Sequence, residues 1–465
     1  MEFTSIIFAV FYSILFVLYW RVAEENKNTI LLIANTFFYL SFGVKYAIVL
    51  LFIIVFSFVM AKGMEQRKSK NVLLFAITGV IVFLVLFKYL GFMISILNGV
   101  FSVLSINQIP GVSLIAPIGI SYYTFQAISY LVDVYHGKMK AEQNFKTYAV
   151  YLSFFASVLS GPIERAESML SQLHENKKFD YSNAVVGLEK VLWGCFKKLV
   201  IADNLAVYIN AIGDNIYDYT GFAIVLANLG YTIQLYCDFS GYSDMAIGLC
   251  LMFGFKLPEN FNYPYVSRSI TEFWRRWHMS LSTWFKEYLY IPLGGNRVSK
   301  MRNLFNLLVV FLATGIWHGA SWCFVIWGLW HGLFIILDKL TGWYRNKGHL
   351  SLIIVQHVFT LVVVLVGWVF FRSSSICYAL DYLQNMFGIH EGSHHSTSYG
   401  YFINMHAWII LFVAVVFSMP FARRMAYAVK TWSSAVVNVW CLLLFLFGWA
   451  AMAASTYNPF IYFRF

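Results

Sequence analysis

Residues 267–297 read SRSITEFWRRWHMSLSTWFKEYLYIPLGGNR, and an apolar segment then leads to WHGASWCFVIWGLWHG at residues 317–332. Three histidines lie among the tryptophans of these segments: His278, His318 and His331. The surrounding sequence is apolar enough for a membrane interior, where an ionisable group is costly and by default indicates a functional site. An imidazole also titrates near neutral pH, which general-base chemistry requires. These two segments therefore decide the fold and carry most of the evidence on function.

The composition is that of a polytopic membrane protein. Of the 465 residues, 60% are hydrophobic and only 12% are charged, and the mean hydropathy is +0.67. Soluble domains are roughly 25% charged. A transmembrane helix needs about 20 apolar residues, so the apolar segments predict an all-α integral membrane protein with about ten to twelve transmembrane or re-entrant helices. We expect one domain over residues 1–465, with a catalytic core at about 115–340 and an extracytoplasmic tail at 456–465.

The net charge of +11 comes from basic residues in short loops between apolar segments. This is the positive-inside pattern, so the charge indicates membrane topology rather than a nucleic-acid partner. The rule places the loop KGMEQRKSK, residues 62–70, in the cytoplasm. Both termini are then extracytoplasmic. The first apolar segment follows Glu2 instead of a basic region, so it is predicted to remain as a membrane helix.

Polar residues, proline and glycine interrupt the apolar pattern in the middle of the chain. The interruptions lie at residues 115–136, 154–164 and 236–248. Proline removes a hydrogen bond from a helix interior, so Pro162 predicts a helix end near Ser160. Asp238 and Asp244 lie in apolar surroundings in the last interruption. Broken backbone at membrane depth is tolerated where it is buried in protein or lines a wet cavity, so these interruptions predict a cavity or funnel.

His331 lies in an apolar helix predicted over residues 324–337. A neutral imidazole there can take a proton from a hydroxyl while that oxygen attacks an acyl thioester. The alternative is a core histidine bonded to a backbone carbonyl. Asp338 follows seven residues later, too far along a helix to orient the imidazole directly, so no local His–Asp pair is predicted.

Residues 270–286 predict an amphipathic helix around His278. At helical spacing one face carries Trp274, Trp277, His278, Leu281 and Phe285. The other side carries Arg275, Arg276, Met279, Thr283 and Lys286. The cations are candidate contacts for the phosphates of a nucleotide-containing donor, and the alternative is a helix that lies on the lipid surface.

Weaker candidates lie elsewhere. The segment IPLGGNR, residues 291–297, lacks the following GK[ST] of a phosphate loop and predicts a tight turn at a cavity edge. His318 ends an apolar helix, where capping or packing is expected. His390, His394 and His395 have a spacing that could hold a metal, but their glycine- and serine-rich context favours a loop. We therefore predict no metal site.

The chain ends in NPFIYFRF, residues 458–465. Pro459 stops the preceding helix, and the aromatic residues that follow suit an anchor at the membrane interface. The alternative is a functional tail, in which Tyr462 reaches back into the site, receives an acyl group on its phenolic oxygen and passes it on.

Seven segments of the chain together resemble one family. They are PIGISYYTFQAISYLVDVY (117–135), SGPIERA (160–166), FKKLVIADNLA (196–206), YCDFSGYSDMAIG (236–248), ENFNYPYVSRSITEFWRRWHMSLSTWFKEYLYIPLGGNR (259–297), WHGASWCFVIWGLWHG (317–332) and NPFIYFRF (458–465). On these segments the chain resembles the membrane-bound O-acyltransferases, and within them the bacterial branch that acetylates alginate and peptidoglycan. The resemblance covers most of the chain from residue 117 onward.

The resemblance implies a ring of helices around a thinner centre with a cytoplasmic funnel, in the bacterial inner membrane. It implies that His331 is the essential histidine and that His278 is the second active-site histidine. The implied substrate is acetyl-CoA or a similar acyl donor, with no bound cofactor. A separate extracytoplasmic acyltransferase partner of the SGNH type would place the acetyl group on polysaccharide hydroxyls. The candidate substrate-binding residues are Trp274, Trp277, Trp327, Arg275, Arg276, Lys286 and Asn296.

Two other classes of protein stay open at this point. A transporter or flippase also has broken helices and intramembrane polar groups, although no repeated pair of interrupted helices is present in this sequence. A scaffold subunit of a polysaccharide export complex is the other alternative. A transporter would not consume acyl-CoA, and a scaffold would tolerate His331→Ala.

Overall fold

The computed structural model describes residues 1–112, 114–219, 221–342, 349–389, 405–420, 434–454 and 460–461. Over these residues the chain is helical and contains no strand, which confirms the predicted all-α class. The chain divides into two compact units, one of Met1–Leu188 with Ala246–Pro258 and one of Glu189–Met245 with Glu259–Phe465. The predicted ring, the funnel and the single domain all concern how these units are arranged together, and they stay predictions.

The first unit consists mainly of the helices that precede residue 189. These are α1 (Ile6–Arg21), α2 (Glu24–Leu40), α3 (Val44–Gln66), α4 (Lys70–Leu84), α5 (Leu90–Val103), α6 (Ile120–His136), α7 (Phe145–Ser153) and α8 (Ala166–His174). A π-helical turn, Val85–Tyr89, joins α4 to α5. Helix α9 (Tyr181–Cys195) begins in this unit and ends in the second.

The second unit contains every candidate site residue that the structure describes. Its helices are α10 (Asp203–Gly213), most of α11 (Phe222–Met252), α12 (Ile270–Arg276), α13 (Met279–Phe285), α14 (Lys300–His318), α15 (Trp322–Thr341), α16 (Leu350–Arg372), α17 (Ile376–Met386), α18 (Met405–Phe417) and α19 (Ser434–Ala454). Two π-helical turns, Phe196–Ala202 and Lys286–Tyr290, follow α9 and α13.

Five helices among the described residues are long and apolar enough to cross a membrane. They are Val44–Gln66, Lys70–Val103, Phe222–Met252, Trp322–Thr341 and Leu350–Arg372. Shorter apolar helices occur at Ile6–Arg21, Met405–Phe417 and Val439–Ala451. These lengths agree with the membrane protein that the composition predicts.

The helix before Pro162 ends earlier than predicted. Helix α7 ends at Ser153, and residues 154–165 are not helical, so the prediction of an end near Ser160 is wrong. The backbone N–H of Phe155 donates to Oδ1 of Asn35 at 3.1 Å. This side chain takes an amide proton that a continuing helix would have used, and it ends the helix before proline can act.

The predicted interruption in α11 is absent, because the helix is continuous from Phe222 to Met252. Asp238 is paired with Lys198 at 2.6 Å, and Asp244 is paired with Lys197. The two aspartates therefore form ion pairs on an intact helix, so this interruption of the apolar pattern is not a break in the backbone. A regular helix satisfies its own backbone groups and needs no wet cavity.

Helices α14 and α15 cross with their backbones in contact. A Cβ at Gly315 would lie 2.3 Å from the carbonyl oxygen of Phe324, and one at Gly328 would lie 2.4 Å from that of Phe311. Neither position has room for a side chain, and small residues allow this kind of approach between membrane helices. The crossing fixes the register of α15, which carries His331 one turn after Gly328.

Candidate active site

His331 lies in a closed aromatic enclosure. The residue is fully buried. Its ring centroid lies 5.2 Å from those of Trp274 and Trp327, both in edge-on geometry, and 6.2 Å from that of Trp368. Phe273 lies parallel to the imidazole at 6.4 Å. Trp274 and Trp327, both predicted as substrate-binding residues, therefore form walls around the predicted base.

Neither ring nitrogen of His331 has a hydrogen-bond partner among the residues that the structure describes. No backbone carbonyl of the described residues accepts a hydrogen bond from His331, so for these residues the alternative of a carbonyl-bonded core histidine is wrong. Nε2 faces α16, since a Cβ at Gly367 would lie 2.6 Å from this atom. Buried polar atoms are normally paired, and an exception needs an explanation such as a catalytic role or a ligand.

Asp338 ties the helix of His331 to the helix of Trp274. Its Oδ2 accepts a hydrogen bond from the backbone N–H of Thr271 at 2.8 Å and from the Thr271 hydroxyl at 3.1 Å. A carboxylate at the first turn of a helix satisfies a backbone donor that lacks an intrahelical partner. Asp338 thus positions α12 against α15, and as the sequence predicts it does not form a pair with His331.

The helix predicted over residues 270–286 is broken at His278. Helix α12 ends at Arg276, and α13 begins at Met279. His278 lies between them with left-handed backbone angles of φ 43° and ψ 57°, which are costly for a residue other than glycine. The prediction of one continuous helix is therefore wrong.

The sidedness predicted for this segment is nevertheless confirmed. The five residues assigned to the apolar face are all buried, and they are Trp274, Trp277, His278, Leu281 and Phe285. On the other side Arg275, Thr283 and Lys286 are exposed, and Arg276 and Met279 are half-buried. Burial follows the helical spacing on either side of the break, because each short helix keeps the same face toward the core.

Asn260 holds His278 in this conformation. Its Oδ1 lies 3.1 Å from Nδ1 of His278 and 3.2 Å from the backbone N–H of Ser280. Its backbone oxygen also accepts the N–H of Met279 at 2.9 Å. The Ser280 N–H can only donate, which identifies the facing amide atom as the oxygen. Nδ1 of His278 is therefore the protonated nitrogen, and in the neutral ring Nε2 carries the lone pair.

The two histidines belong to one aromatic cluster. A chain of ring contacts runs from His278 through Phe261, Trp277 and Trp368 to His331. Its centroid distances are 6.5, 5.1, 5.0 and 6.2 Å in that order. The structure thus brings together residues from helices α15 and α16, from the break between α12 and α13, and from the loop that precedes α12. His278 and His331 lie at the two ends of this chain.

His318 is a packing residue, as predicted. It is buried at the end of α14. Its ring lies 4.9 Å from Trp327, 5.0 Å from Trp317 and 5.3 Å from Phe371. It therefore supports the outer side of the wall that encloses His331.

The candidate cations differ in their availability. Arg276 donates to Oε1 of Glu272 at 3.0 Å and to the carbonyl oxygen of Asn262 at 3.1 Å. Arg275 and Lys286 are exposed. Of the three predicted phosphate contacts, Arg276 is thus engaged in an ion pair within the protein, while Arg275 and Lys286 project to the surface.

Residues 291–296 form turns, as predicted for the IPLGGNR segment. Gly294 and Gly295 have φ values of 105° and 53°, which suit glycine. Asn296, a predicted substrate contact, is exposed, and its Oδ1 accepts from the Tyr290 hydroxyl at 2.7 Å and from Nζ of Lys339 at 3.2 Å. Asn296 therefore stabilises this turn and links it to Lys339 near the end of α15.

Some site residues are not predictable from local pattern. Asn260, Gly367 and Trp368 contact the histidines, but each lies in ordinary loop or helix sequence. Asn260 lies in a motif-rich segment, which is the one signal in the sequence that could have identified it. Gly367 and Trp368 have no such signal. Tyr462 and the histidines considered for a metal, His390, His394 and His395, lie outside the described residues.

The model of the membrane-bound O-acyltransferase family matches residues 141–380. A protein named probable alginate O-acetylase, from Pseudomonas putida, is 33% identical over 100% of both chains. The peptidoglycan O-acetyltransferase of Helicobacter pylori is 33% identical over 99% of this chain and 97% of its own. The teichoic acid D-alanyltransferase of Bacillus subtilis is 31% identical over 48% of this chain and 59% of its own. The chain belongs to the membrane-bound O-acyltransferase family and is an acyltransferase.

Proposed function

We propose that this enzyme passes an acetyl group from a cytoplasmic acyl-CoA-type donor across the membrane, for O-acetylation of an exported polysaccharide. The observation that carries the proposal is the buried imidazole of His331, which has no protein hydrogen-bond partner among the described residues. Aromatic walls disfavour a buried charge, so the base is kept neutral until a substrate proton reaches it.

In the proposed reaction His331 is the general base. It takes the proton from an attacking hydroxyl as that oxygen forms a bond to the acyl carbon of the thioester. The carbon–sulfur bond breaks, and the thiolate leaves and recovers the proton as a thiol. Tyr462 is the proposed first acceptor, so that the acetyl group becomes a phenolic ester before it moves on.

His278 is proposed to orient the reacting groups. Its Nδ1 donates to Asn260, and this bond fixes both the tautomer and the plane of the ring. A neutral His278 can only accept at Nε2, so polarising the acyl carbonyl would require the protonated ring. The side chains of Trp274, Trp277 and Trp327 are proposed to surround the acyl group. They are bulky and buried, which suits a short acyl chain.

The donor is proposed to bind with its phosphates near Arg275 and Lys286, which are the exposed cations of the segment. Arg276 is proposed to hold the segment in place through Glu272. Asn296 is proposed to shape the turn beside the donor. The positive-inside pattern supports a cytoplasmic position for this side and extracytoplasmic termini in a bacterial inner membrane.

The acceptor is proposed to be a cell-envelope or exported glycan, because two relatives that match almost the whole chain are named for alginate and peptidoglycan acetylation. A hydroxyl outside the membrane is out of reach of a buried base. A separate extracytoplasmic acyltransferase partner of the SGNH type is therefore proposed to complete the transfer.

The test is acetyl transfer by detergent-purified protein that is given acetyl-CoA labelled in its acetyl group. We expect wild-type protein to become labelled and to release CoA, and His331→Ala to lower the rate by about 100- to 10,000-fold while the protein stays folded. His318→Ala, in the neighbouring wall, is the matched control for a buried imidazole that does not act as a base. Equal loss in both variants would refute His331 as the base, and a wild-type protein that is inert toward acetyl-CoA would refute this donor.

A further inference from the structure

A buried ion cluster in the second unit has no part in the chemistry proposed above. Lys197 and Lys198 are consecutive, and both are almost completely buried. Lys198 binds Oδ1 of Asp203 at 2.8 Å and Oδ1 of Asp238 at 2.6 Å. Lys197 binds Asp244, and it donates to Oγ of Ser240 at 3.0 Å. Both lysines lie in the π-helical turn Phe196–Ala202, and turns of this kind are frequent at functional sites.

Such a cluster is expensive inside a membrane protein. Removing charges from water carries a large cost in free energy, and the attraction within the ion pair often only offsets this cost. Intramembrane ionisable residues accordingly indicate function rather than stability. The cluster therefore needs a role beyond holding helices together.

Asp238 also binds the C-terminal segment of the chain. Its Oδ1 takes Lys198, and its Oδ2 accepts the backbone N–H of Ile461 at 3.0 Å. Phe460 is 2% exposed, and Nζ of Lys198 lies 4.6 Å from the centroid of its ring. Tyr242 packs edge-on against the same ring at 4.5 Å. A backbone bond, a cation–π contact and an aromatic contact thus converge on two consecutive residues.

The same helix contacts the candidate active site on its adjacent face. Phe239 lies 4.7 Å from the ring of His278, and Oγ of Ser243 accepts from Nδ2 of Asn260 at 3.1 Å. Residues four apart share a face of a helix. Phe239 and Ser243 therefore face the histidine, while Asp238 and Tyr242 face the C-terminal segment.

We propose that Asp238, held in place by Lys198, is the positioning residue that docks the C-terminal segment beside His278 of the candidate active site. The docked Phe460–Ile461 pair gives the chain a fixed point one residue before Tyr462. This inference deepens the proposed function and rests on it for the part played by Tyr462. The docking itself rests only on the contacts of Asp238, Lys198 and Tyr242.

The docking is tested by placing 4-fluorophenylalanine at position 460 of the full-length protein and recording its 19F resonance in detergent. A free peptide with the sequence of residues 458–465 in the same detergent gives the undocked position. We expect the wild-type resonance to differ from that of the peptide. Ile461→Pro removes the N–H that Asp238 accepts, and it also replaces the isoleucine side chain and restricts the backbone of residue 460. We therefore expect it to move the resonance to the position of a free peptide that carries the same proline. Ile461→Val keeps the N–H, and we expect it to leave the resonance in place.

Variants of the cluster separate docking from general stability. Asp238→Asn weakens the acceptor and should shift the resonance, whereas Asp244→Asn removes the neighbouring ion pair with Lys197, in which neither Phe460 nor Ile461 takes part. A resonance unmoved by Ile461→Pro overturns the inference, and so does an equal shift in Asp244→Asn and Asp238→Asn. Ile461→Pro lies in the terminal segment, so the test survives if Asp238→Asn fails to fold.

A second readout distinguishes the docking from the relay. After incubation with labelled acetyl-CoA, we expect the acetyl label on Tyr462 to fall at least tenfold in Ile461→Pro relative to Ile461→Val. If the resonance shifts but the wild-type protein never carries acetyl on Tyr462, the docking stands and the proposed relay fails. If Tyr462 carries the same amount of acetyl label in Ile461→Pro as in Ile461→Val, the positioning role of Asp238 is refuted while the relay stands.

Discussion

Nδ1 of His278 lies 3.1 Å from Oδ1 of Asn260, a residue 18 positions earlier in the chain. The same oxygen accepts from the backbone N–H and the hydroxyl of Ser280. One amide oxygen therefore sets the tautomer of the histidine and also holds the backbone where the two short helices meet.

We expect Asn260→Ala to reduce acetyl transfer by about 10- to 100-fold, because losing a buried hydrogen bond costs about 1–3 kcal/mol. The cost appears in the rate rather than in donor affinity, since Asn260 is buried behind His278. Steady-state kinetics with acetyl-CoA measure it. Ser280→Ala removes a different bond to the same oxygen and leaves the Nδ1 contact, so it should cost less. A larger loss in Ser280→Ala would contradict the assigned role.

Gly367→Ala should inactivate the enzyme without unfolding it. The added methyl carbon would lie 2.6 Å from Nε2 of His331, so the ring must move. A displacement of about 1 Å at a reacting group can cost about 100-fold in rate. Thermal unfolding in detergent and acetyl transfer are measured together. Gly63→Ala on α3, where a Cβ meets nothing within 4 Å, is the control and should keep both properties. Full activity in Gly367→Ala would show that Nε2 is not the reacting face.

Arg275→Gln should raise the KM for acetyl-CoA with little change in kcat. An exposed charge near a phosphate contributes about 1 kcal/mol, which corresponds to about fivefold in KM, and added salt should weaken the effect. Arg276→Gln tests the other assignment, because this residue is paired with Glu272. We expect it to lower the unfolding temperature more than it changes KM. If KM rose only in Arg276→Gln, then Arg276 and not Arg275 would be the contact for the donor phosphates.

Asp338→Ala should loosen α12 from α15. It removes both bonds to Thr271, and losing a capping partner costs about 1–2 kcal/mol of stability. Because α12 carries Trp274, the enclosure around His331 should also lose precision, and kcat should fall with the stability. Differential scanning measurements and single-turnover rates report on the two effects. Asp338→Asn keeps an acceptor for the Thr271 donors, so it should retain much of the stability and the rate that Asp338→Ala loses. If Asp338 were instead a charged partner of His331, Asp338→Asn would lose activity as Asp338→Ala does.

The sequence was a good guide where local pattern determines structure. Helical spacing correctly separated the buried face around Trp277 from the exposed side with Arg275. Paired glycines correctly predicted the turn at Gly294 and Gly295. Hydropathy located the helix of His331. Each of these features follows from residues within a few positions of each other.

The features that the sequence did not reveal depend on distant partners. The break at His278 requires Asn260, and the early end of α7 requires Asn35, which lies 120 positions from Phe155. The aspartates of α11 appeared to interrupt a helix because their lysine partners lie about 40 positions away. Long-range side-chain bonds of this kind leave no periodic trace in the sequence.

The contact of α14 with α15 at Gly315 and Gly328 has a consequence for how this enzyme could change its substrate. Main-chain contacts between α14 and α15 set the position of His331 along its helix. Side chains such as that of Trp274 set the width of the space around it. The two properties can therefore be altered independently. If the acyl chain binds beside His331 as proposed, exchanging Trp274 or Trp327 for a smaller residue would widen the room for it without moving that imidazole, so the choice of acyl group would be open to evolution and to engineering within one unchanged backbone.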